Sequence, residues 1–181
     1  MEAIAKFAAD RMLARVARWL RMLGADTIFD ENIDGAAMLK IARNEGRILL
    51  TRDKRLKAAP DALFLGSNNF REQLRQILER YPFDIAKNAF SRCSRCNTLL
   101  VEVDRETVRL RVPPFVYATN QKFSECPSCA HLYLGRHSSG AHYARSSGDW
   151  SGFGSQGIAA DLLGLSLRGP SLYKDRCGHG L

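Results

Sequence analysis

Two C-x2-C sequences restrict the fold of this chain more than any other feature. The first pair is Cys93 and Cys96, and the second pair, Cys126 and Cys129, follows after residues 97–125. Each pair can bind a metal ion from a tight turn, and the segment between them is long enough for the β-hairpins of a ribbon. Four thiolates close the coordination shell of Zn²⁺, so we predict that these cysteines bind a structural zinc ion.

Disulfide bonds and unrelated reduced thiols are the alternatives to a metal at these cysteines. The first residues, MEAIAKFAADRM, contain charges too early for a secretory signal, so we expect a cytoplasmic protein without disulfides. Residues 91–145 contain few large aliphatic side chains, and a structural metal would supply the missing folding energy. Metal binding is therefore favoured. The remaining histidines and the fifth cysteine are not needed as zinc ligands, so we expect surface residues and a free thiol. They are His131, His137, His142, His179 and Cys177.

Residues 4–81 alternate between short apolar runs and amphipathic segments. The apolar runs predict strands at residues 4–9, 26–29, 47–50 and 62–65. The amphipathic segments predict helices at residues 11–23, ended by Gly24, at 35–43, capped by Asp34, and at 70–81, capped by Asn69. This order predicts an α/β domain over residues 1–88, in which a mainly parallel sheet is flanked by helices.

The second half of the chain has a different organisation. Residues 82–89 are typical of a linker, and residues 89–145 are predicted to form a small β-rich zinc ribbon with strands at 99–103 and 115–118. From residue 146 to residue 181 the sequence is rich in glycine and serine, so we predict a disordered tail.

Four aspartates fall where predicted strands end or the next helix begins. Asp10, Asp30 and Asp53 follow strands, and Asp34 begins the helix after the second strand. In parallel sheets the ligand crevice lies beyond the carboxyl ends of the strands, so we expect these side chains at one edge. Carboxylates are the ligands that Mg²⁺ and Mn²⁺ prefer, and such ions can promote phosphodiester cleavage. The alternative is that each aspartate only caps a helix or starts a turn.

Several arginines lie close to these acids in the sequence. The helix predicted for residues 11–23 carries four arginines, the last of them Arg21, on the face opposite its apolar side, and Arg52 directly precedes Asp53. Guanidinium groups beside a cation site can pair with the phosphates of a nucleic acid. The alternative is the ordinary charged face of an amphipathic helix. The predicted substrate-binding residues are Arg11, Arg15, Arg18 and Arg52.

The net charge of the chain indicates a polyanion as partner. The chain has 27 basic and 19 acidic residues and a formal charge of +8, which favours a nucleic acid such as RNA over generic solubility as the explanation. No apolar run approaches the roughly 20 residues that span a bilayer, so we expect no membrane insertion.

The sequence also resembles a known family over roughly residues 5–145. The stretches that carry the resemblance are DRMLARVARWLRMLGADTIFDENID, ARNEGRILLTRDKRL, FSRCSRCNTLL, RVPPFVY and FSECPSC. They resemble the Mut-seven C-terminal RNase domain family, a branch of the PIN-like nucleases with an appended zinc ribbon. The resemblance implies a PIN-like α/β fold and metal-dependent RNA cleavage, with Asp10, Asp34 and Asp53 as the matching acids of the nuclease site.

Two positions depart from the family pattern. PIN-like nucleases often add a further acid after the third strand, where this chain offers only Asp61, and Ala130 replaces the family's glycine after the second cysteine pair. The function predicted from the sequence is a metal-dependent ribonuclease whose zinc ribbon aids RNA binding. Two alternatives stay open: a non-catalytic RNA- or ribosome-binding module on the same fold, and an enzyme that acts on free nucleotides or phosphate esters.

Overall fold

Four short strands form a parallel sheet in the N-terminal part of the chain. The computed structural model describes residues 5–134. The strands are β1 (Phe7–Ala9), β2 (Thr27–Phe29), β3 (Ile48–Thr51) and β4 (Ala62–Phe64), in the order β2-β1-β3-β4 with every neighbouring pair parallel. The predicted parallel sheet is therefore confirmed. Predictions that lie outside the described residues concern the tail at 146–181, the end of the ribbon, His137, His142, His179 and Cys177.

Helices cover both faces of this sheet. The main helices are α1 (Ala14–Met22), α2 (Gly35–Asn44) and α3 (Phe70–Arg80). Side chains alternate along the strands, so Phe7 and Leu50 pack with α1 and α3, while Ala8 and Leu49 pack with α2. Burial on both faces explains why the strands are continuous apolar runs. Within residues 5–134, no helix is long and apolar enough to cross a membrane.

The helix boundaries follow from local signals in the sequence. Asp34 caps α2 and Asn69 caps α3 through side-chain hydrogen bonds, as predicted. Gly24 ends the α1 segment with a φ of 96°, and a Cβ at this position would lie 2.1 Å from the carbonyl oxygen of Asn88. Arg11–Leu13 form a 3₁₀ turn, so the predicted first helix becomes a regular α-helix only after this turn.

Residues 82–89 do not form a simple linker. They contain the short helix α4 (Ile85–Asn88), and Phe83 packs against the core formed by the sheet and α1. The backbone N–H of Phe90 donates a hydrogen bond to the carbonyl of Met22 at the end of α1 (2.7 Å). The chain is therefore held against the α/β part before the first cysteine pair begins.

A second, antiparallel sheet follows the first cysteine pair. Its elements are β5 (Val101–Val103), the short helices α5 (Arg105–Val108) and α6 (Pro114–Thr119), β6 (Phe123–Glu125) and β7 (Leu132–Leu134). The strand predicted at 115–118 is wrong, because this segment lies in α6. Pro114 occupies the first helical position, where its fixed φ suits a helix and its missing N–H is not needed. Val108, Phe123 and Leu134 form the small apolar core of this part.

Arg21 joins α1 to the first cysteine pair. The sequence predicts it on the exposed arginine face, but Arg21 is only 5% exposed. Its Nε donates a hydrogen bond to the carbonyl of Thr27 (2.7 Å), and its Nη1 donates to the carbonyls of Ser94 (3.3 Å) and Arg95 (2.6 Å). The prediction is wrong for Arg21 because the loop of the cysteine pair covers this end of α1, and helical periodicity cannot show such a contact.

The same loop contacts the amino ends of the parallel strands. Asn97 accepts a hydrogen bond from the backbone N–H of Thr27 (3.0 Å) and donates one to Asp26 (2.8 Å), which also pairs with Arg47 (2.7 Å). Although burial opposes the shift, the hydrogen bonds from Arg47 and Asn97 lower the pKa of Asp26 below its usual value. The cysteine-rich part is therefore attached at the amino edge of the sheet.

Candidate functional site

The topology places a crevice at the carboxyl ends of β1 and β3. Strand β1 pairs with β2 on one side and with β3 on the other, and the helices that follow β1 and β2 cover opposite faces of the sheet. Ligands of open α/β sheets bind where the strand order reverses in this way, because the loops of neighbouring strands separate there. The residues at this point are Asp10, directly after β1, and Thr51–Asp53, at the end of β3.

Asp10 is a buried carboxyl group without a basic partner among residues 5–134. It is 3% exposed, and its Oδ2 accepts a hydrogen bond from Oγ1 of Thr51 (2.8 Å). Its side chain does not cap the following turn, and within residues 5–134 it forms no ion pair with an arginine or lysine. Burying a charge is unfavourable unless another charge or a metal compensates it. The capping alternative is therefore not observed at Asp10, and this carboxylate is suited to a cationic ligand.

The hydroxyl group of Thr51 connects Asp10 with the backbone of Asp53. Thr51 is fully buried, and its hydroxyl donates to Asp10 while accepting a hydrogen bond from the N–H of Asp53 (3.0 Å). A hydroxyl can donate and accept at once, so Thr51 holds the ends of β1 and β3 in a fixed relation. Thr51 is not among the residues that the sequence predicts for the site, although a hydroxyl residue between a strand and a charged turn is a usable signal.

Asp53 is half-buried and ionised. Its carboxylate accepts hydrogen bonds from the backbone N–H of Arg55 (2.9 Å) and from the guanidinium of the same residue (2.6 Å). These hydrogen bonds lower the pKa of Asp53, so its carboxylate stays charged at neutral and mildly acidic pH. The Arg55 side chain is 88% exposed, and exposed ion pairs contribute little to stability. A cation can therefore displace Arg55 from Asp53 with little loss of folding stability.

Asp34 lies at the start of α2, which contacts Asp10. Gly35 follows Asp34 and approaches so closely that a Cβ on it would lie 3.2 Å from Oδ2 of Asp10. Asp34 uses its Oδ1 to accept a hydrogen bond from the N–H of Ala37 (2.8 Å). Capping is therefore observed at Asp34, and it leaves the second oxygen of this exposed carboxylate for a ligand.

The three carboxylates border one edge but are not gathered into a tight cluster. Among residues 5–134, the four cysteines are the only group of three or more Asp, Glu, His or Cys side chains whose ligand atoms all lie within 4.8 Å of one another. Asp61, the candidate for a further acid, precedes β4 at the opposite, amino edge and pairs with Arg43 (3.0 Å). Asp61 therefore lies apart from Asp10, Asp34 and Asp53, which follow β1, β2 and β3 at the carboxyl end of the sheet.

Two of the four predicted arginines lie together beside the crevice. The guanidinium of Arg15 lies 3.7 Å from the ring centroid of Phe70, and Arg52 donates a hydrogen bond to Oδ1 of Asn68. Both arginines line a pocket that sequence patterns do not reveal, because its walls come from three separate segments. The two predicted arginines that are exposed outside this pocket are Arg11 and Arg18.

The four cysteines converge in the C-terminal part, as their spacing predicts. Their Sγ atoms lie within 4.8 Å of one another, with separations of 3.3 Å for Cys96–Cys126 and 3.7 Å for Cys93–Cys129. A tetrahedral zinc with Zn–S bonds of about 2.3 Å requires sulfur atoms about 3.8 Å apart. The cysteines are therefore close enough to bind one metal ion such as zinc. His131 is not part of this group.

Both cysteine pairs form the same backbone turn. The N–H of Asn97 donates to the carbonyl of Cys93 (3.0 Å), and the N–H of Ala130 donates to the carbonyl of Cys126 (2.8 Å). Asn97 and Ala130 have φ values of 70° and 55°, in the left-handed region that glycine adopts most readily. Ala130 therefore completes the turn in a conformation that its side chain disfavours.

Tyr133 supports the first cysteine pair from β7. Its hydroxyl lies 3.0 Å from Sγ of Cys93 and accepts a hydrogen bond from the N–H of Ser94 (3.1 Å). Although burial opposes the shift, hydrogen bonds from Thr98 and the neighbouring thiols lower the pKa of Cys96 to about 6. The group therefore holds a thiolate at neutral pH, which is the form that binds a metal.

These observations define a class of protein, a parallel α/β domain with an acidic crevice followed by a four-cysteine ribbon. A comparison with protein families gives the particular family. The family described as Mut7-C RNAse domain matches residues 5–147, so the chain belongs to this family. Membership confirms the resemblance seen in the sequence and indicates a nuclease or RNA-related function. No curated protein and no solved structure matches the chain significantly.

Proposed function

We propose that this protein is a ribonuclease that hydrolyses RNA phosphodiester bonds with the help of Mg²⁺ or Mn²⁺. The observation that carries the proposal is the buried carboxylate of Asp10, which has no cationic partner within residues 5–134 and is linked through Thr51 to Asp53. This arrangement lies where the strand order reverses, which is the expected place for a ligand. The family description supports RNA as the substrate.

The chemistry of the acids fits a divalent cation. Asp10 is a buried carboxyl group, Asp53 is ionised, and Asp34 keeps one oxygen free after capping α2. Hard divalent cations take carboxylate oxygens and retain several waters, so two or three such ligands suffice. When bound, the cation supplies neutralisation of the phosphate charge and activation of water. We therefore assign these three aspartates both as ligands of the divalent cation and as the catalytic residues.

The other residues of the crevice hold the acids and the RNA in place. Thr51 orients Oδ2 of Asp10 and fixes the backbone of Asp53. Arg52 lies between Thr51 and Asp53 in the sequence, and its guanidinium can pair with the phosphate through two parallel hydrogen bonds. The arginines assigned to neighbouring phosphates are Arg11, Arg15 and Arg18.

The cysteine-rich part has a structural role in this proposal. Residues 1–88 carry the nuclease site, and residues 89–145 form a zinc ribbon whose basic surface aids RNA binding. Four thiolates leave zinc no open position, so this metal stabilises the fold and takes no part in cleavage. Thiols that bind zinc must stay reduced, which supports a cytoplasmic location.

A non-catalytic RNA- or ribosome-binding module on the same fold is the second candidate. It is favoured by the absence, within residues 5–134, of a tight group of three acidic ligands, and by the capping roles of Asp34 and Asp53. Asp61 cannot supply a further acid, since it lies at the other edge of the sheet. In this candidate the carboxylates stabilise the fold, and the arginines alone bind RNA.

Cleavage of a labelled RNA panel in the presence of Mn²⁺ separates the two candidates. We expect the wild type to cut RNA, and we expect Asp10→Asn and Asp53→Asn to lower the rate by about 100-fold or more. The matched control is Asp61→Asn, which removes the same charge at the opposite edge of the sheet and should keep the wild-type rate.

Two results would contradict the proposal in different ways. If the wild type binds RNA but cuts none of the panel, and the aspartate variants bind equally well, the protein is a binding module. If cleavage survives both Asp10→Asn and Asp53→Asn, the activity stands but the assignment of its acids is wrong.

A further inference from the structure

A pocket of about 510 Å³ opens beside the acidic crevice. Met12 lines it from the turn after Asp10, Arg52 from the end of β3, and Asn68 and Phe70 from the segment that leads into α3. Arg52 directly precedes Asp53, and Met12 lies two residues after Asp10, so the pocket adjoins the proposed cleavage site. Its volume is typical of small-molecule sites, so a single nucleotide can enter it.

The charged groups of this pocket are cations. Arg15 and Arg52 line it, whereas no aspartate or glutamate of the described residues does. The guanidinium of Arg15 is stacked on Phe70, which fixes the orientation of its plane. Arg52 donates from Nη2 to Asn68, and its buried Nε has no hydrogen-bond partner within residues 5–134. A buried N–H without a partner indicates a missing acceptor, and a phosphate oxygen suits this role.

Three amide side chains add both donors and acceptors to the lining. Gln73 is 4% exposed, and its Nε2 donates to the carbonyl of Ser67 (2.6 Å), which leaves its Oε1 as an acceptor. Asn68 and Asn69 use their Oδ1 atoms to hold Arg52 and to cap α3, so each keeps its Nδ2 as a donor. The edges of nucleobases combine donors and acceptors, so this lining suits a base better than a bare phosphate.

We infer that the pocket binds one unpaired nucleotide of the RNA, next to the phosphate that is cleaved. The base contacts the amides and the guanidinium plane of Arg15, and the phosphate contacts Arg52. A base can enter the pocket only when it is not stacked in a duplex, so the substrate class is single-stranded RNA. The inference rests on the proposed function, since it takes the acidic crevice as the cleavage site.

Titration with nucleoside 5′-monophosphates, followed by NMR of the full-length protein, tests the pocket without cleavage. We expect the side-chain amide signals of Asn68 and Gln73 to shift with a nucleotide at millimolar concentration. Inorganic phosphate is the comparison: it should shift the Nε signal of Arg52 and, through the hydrogen bond from Arg52, the amide of Asn68, while the amide of Gln73 stays unchanged. A Gln73 amide that stays unchanged with every nucleotide, or that shifts equally with inorganic phosphate, would overturn binding of a base.

Equilibrium binding of labelled single-stranded RNA, measured in an Asp10→Asn background to prevent cleavage, tests the same pocket with a polymer. We expect Arg15→Gln to weaken binding about 5- to 10-fold and to reduce the salt slope by about 1. We expect Asn68→Ala to weaken binding about 2- to 10-fold and to change the preference among homopolymers. The control is Arg75→Gln, because Arg75 is exposed on α3 outside the pocket and pairs with Glu79.

The outcomes separate this inference from the proposed function. Equal losses from Arg15→Gln and Arg75→Gln would mean general attraction to RNA and would overturn the pocket. Wild-type cleavage together with unchanged binding and products in Arg15→Gln and Asn68→Ala would also reject the pocket, but not the nuclease. Intact pocket binding without wild-type cleavage would reject the nuclease and keep the pocket as a nucleotide site.

Discussion

The hydroxyl group of Thr51 connects the ends of β1 and β3 at the crevice, next to the backbone hydrogen bond from the N–H of Asp10 to the carbonyl of Leu50 (3.0 Å). It donates a hydrogen bond to the buried side chain of Asp10 and accepts one from the backbone N–H of Asp53. The backbones of β1 and β3 pair directly, but the side chain of Asp10 accepts its hydrogen bond from this hydroxyl. We therefore expect substitutions at Thr51 to affect both the stability of the protein and its proposed activity.

Thr51→Val keeps the shape of the side chain and removes its hydroxyl. Asp10 and the N–H of Asp53 then lose a buried partner, so we expect the free energy of unfolding to fall by about 1–3 kcal/mol. We expect RNA cleavage to fall about 10- to 100-fold, as is usual when a group that orients metal ligands is lost. Thr51→Ser keeps the hydroxyl and should retain most of the activity. Equal cleavage by the valine and serine variants would show that the hydroxyl does not position the acids.

Ala130 is a second residue whose conformation leads to a prediction. Its φ of 55° disfavours any side chain, so Ala130→Gly should raise the free energy of unfolding by about 1 kcal/mol, as measured by urea unfolding. Asn97→Gly is the matched comparison, since Asn97 has a φ of 70° but also binds Thr27 and Asp26. We expect Asn97→Gly to lower the free energy of unfolding by about 1–2 kcal/mol. A loss of stability in both variants would rule out backbone strain at Ala130.

At the scale of elements, helix α1 connects the two halves of the protein. The turn before its first residue carries Asp10 and Met12 at the crevice, and its last turn carries Arg21 beneath the first cysteine pair. Burial lowers the pKa of Arg21, but a guanidinium still keeps its charge at physiological pH. The helix therefore depends on the cysteine loop to compensate a buried charge with carbonyl groups.

Arg21→Leu tests this connection between the elements. The substitution leaves the carbonyls of Thr27, Ser94 and Arg95 without their donor, so we expect the free energy of unfolding to fall by about 2–4 kcal/mol. Arg18→Leu changes an exposed arginine of the same helix and should change stability by less than about 0.5 kcal/mol. Urea unfolding of both variants measures the difference, and similar values for the two would mean that Arg21 does not hold the loop.

At the scale of the whole molecule, the two candidate metal sites lie at opposite edges of the parallel sheet. The acids border the carboxyl ends of β1 and β3, whereas Asn97, directly after the first cysteine pair, contacts Thr27 and Asp26 at the amino end of β2. Zinc bound by the cysteines therefore cannot contribute a ligand or a charge to the proposed cleavage site. Its effect on activity must pass through the folding of the ribbon, whose basic surface is proposed to aid RNA binding.

Removal of one cysteine tests this separation. We expect the wild type to contain about one zinc per chain, and we expect Cys126→Ser to lose it together with the folded state of β5–β7. The Asp10→Asn variant should keep its zinc, since Asp10 lies at the other edge of the sheet from the cysteines. Ser128→Ala alters the same turn without removing a ligand and serves as the control. Metal analysis and NMR measure both properties, and full zinc content in Cys126→Ser would contradict a four-thiolate site.

Local patterns were sufficient for the features that involve neighbours in the sequence. The strand and helix order, the capping by Asp34 and Asn69, and the pairing of cysteines within each C-x2-C turn all depend on residues a few positions apart. The strand predicted at 115–118 was wrong because a short apolar run does not distinguish a strand from a helix. This run belongs to the helix that Pro114 starts.

Only the tertiary structure decided which distant residues meet. It brought Thr51 to Asp10, placed Arg21 under the cysteine loop, left Asp61 at the wrong edge for the crevice, and opened a pocket between Arg15 and Arg52. The physical reason is that periodicity and spacing report interactions within one element. The burial of Asp10 and Arg21 depends instead on how strands and loops far apart in the sequence pack against each other.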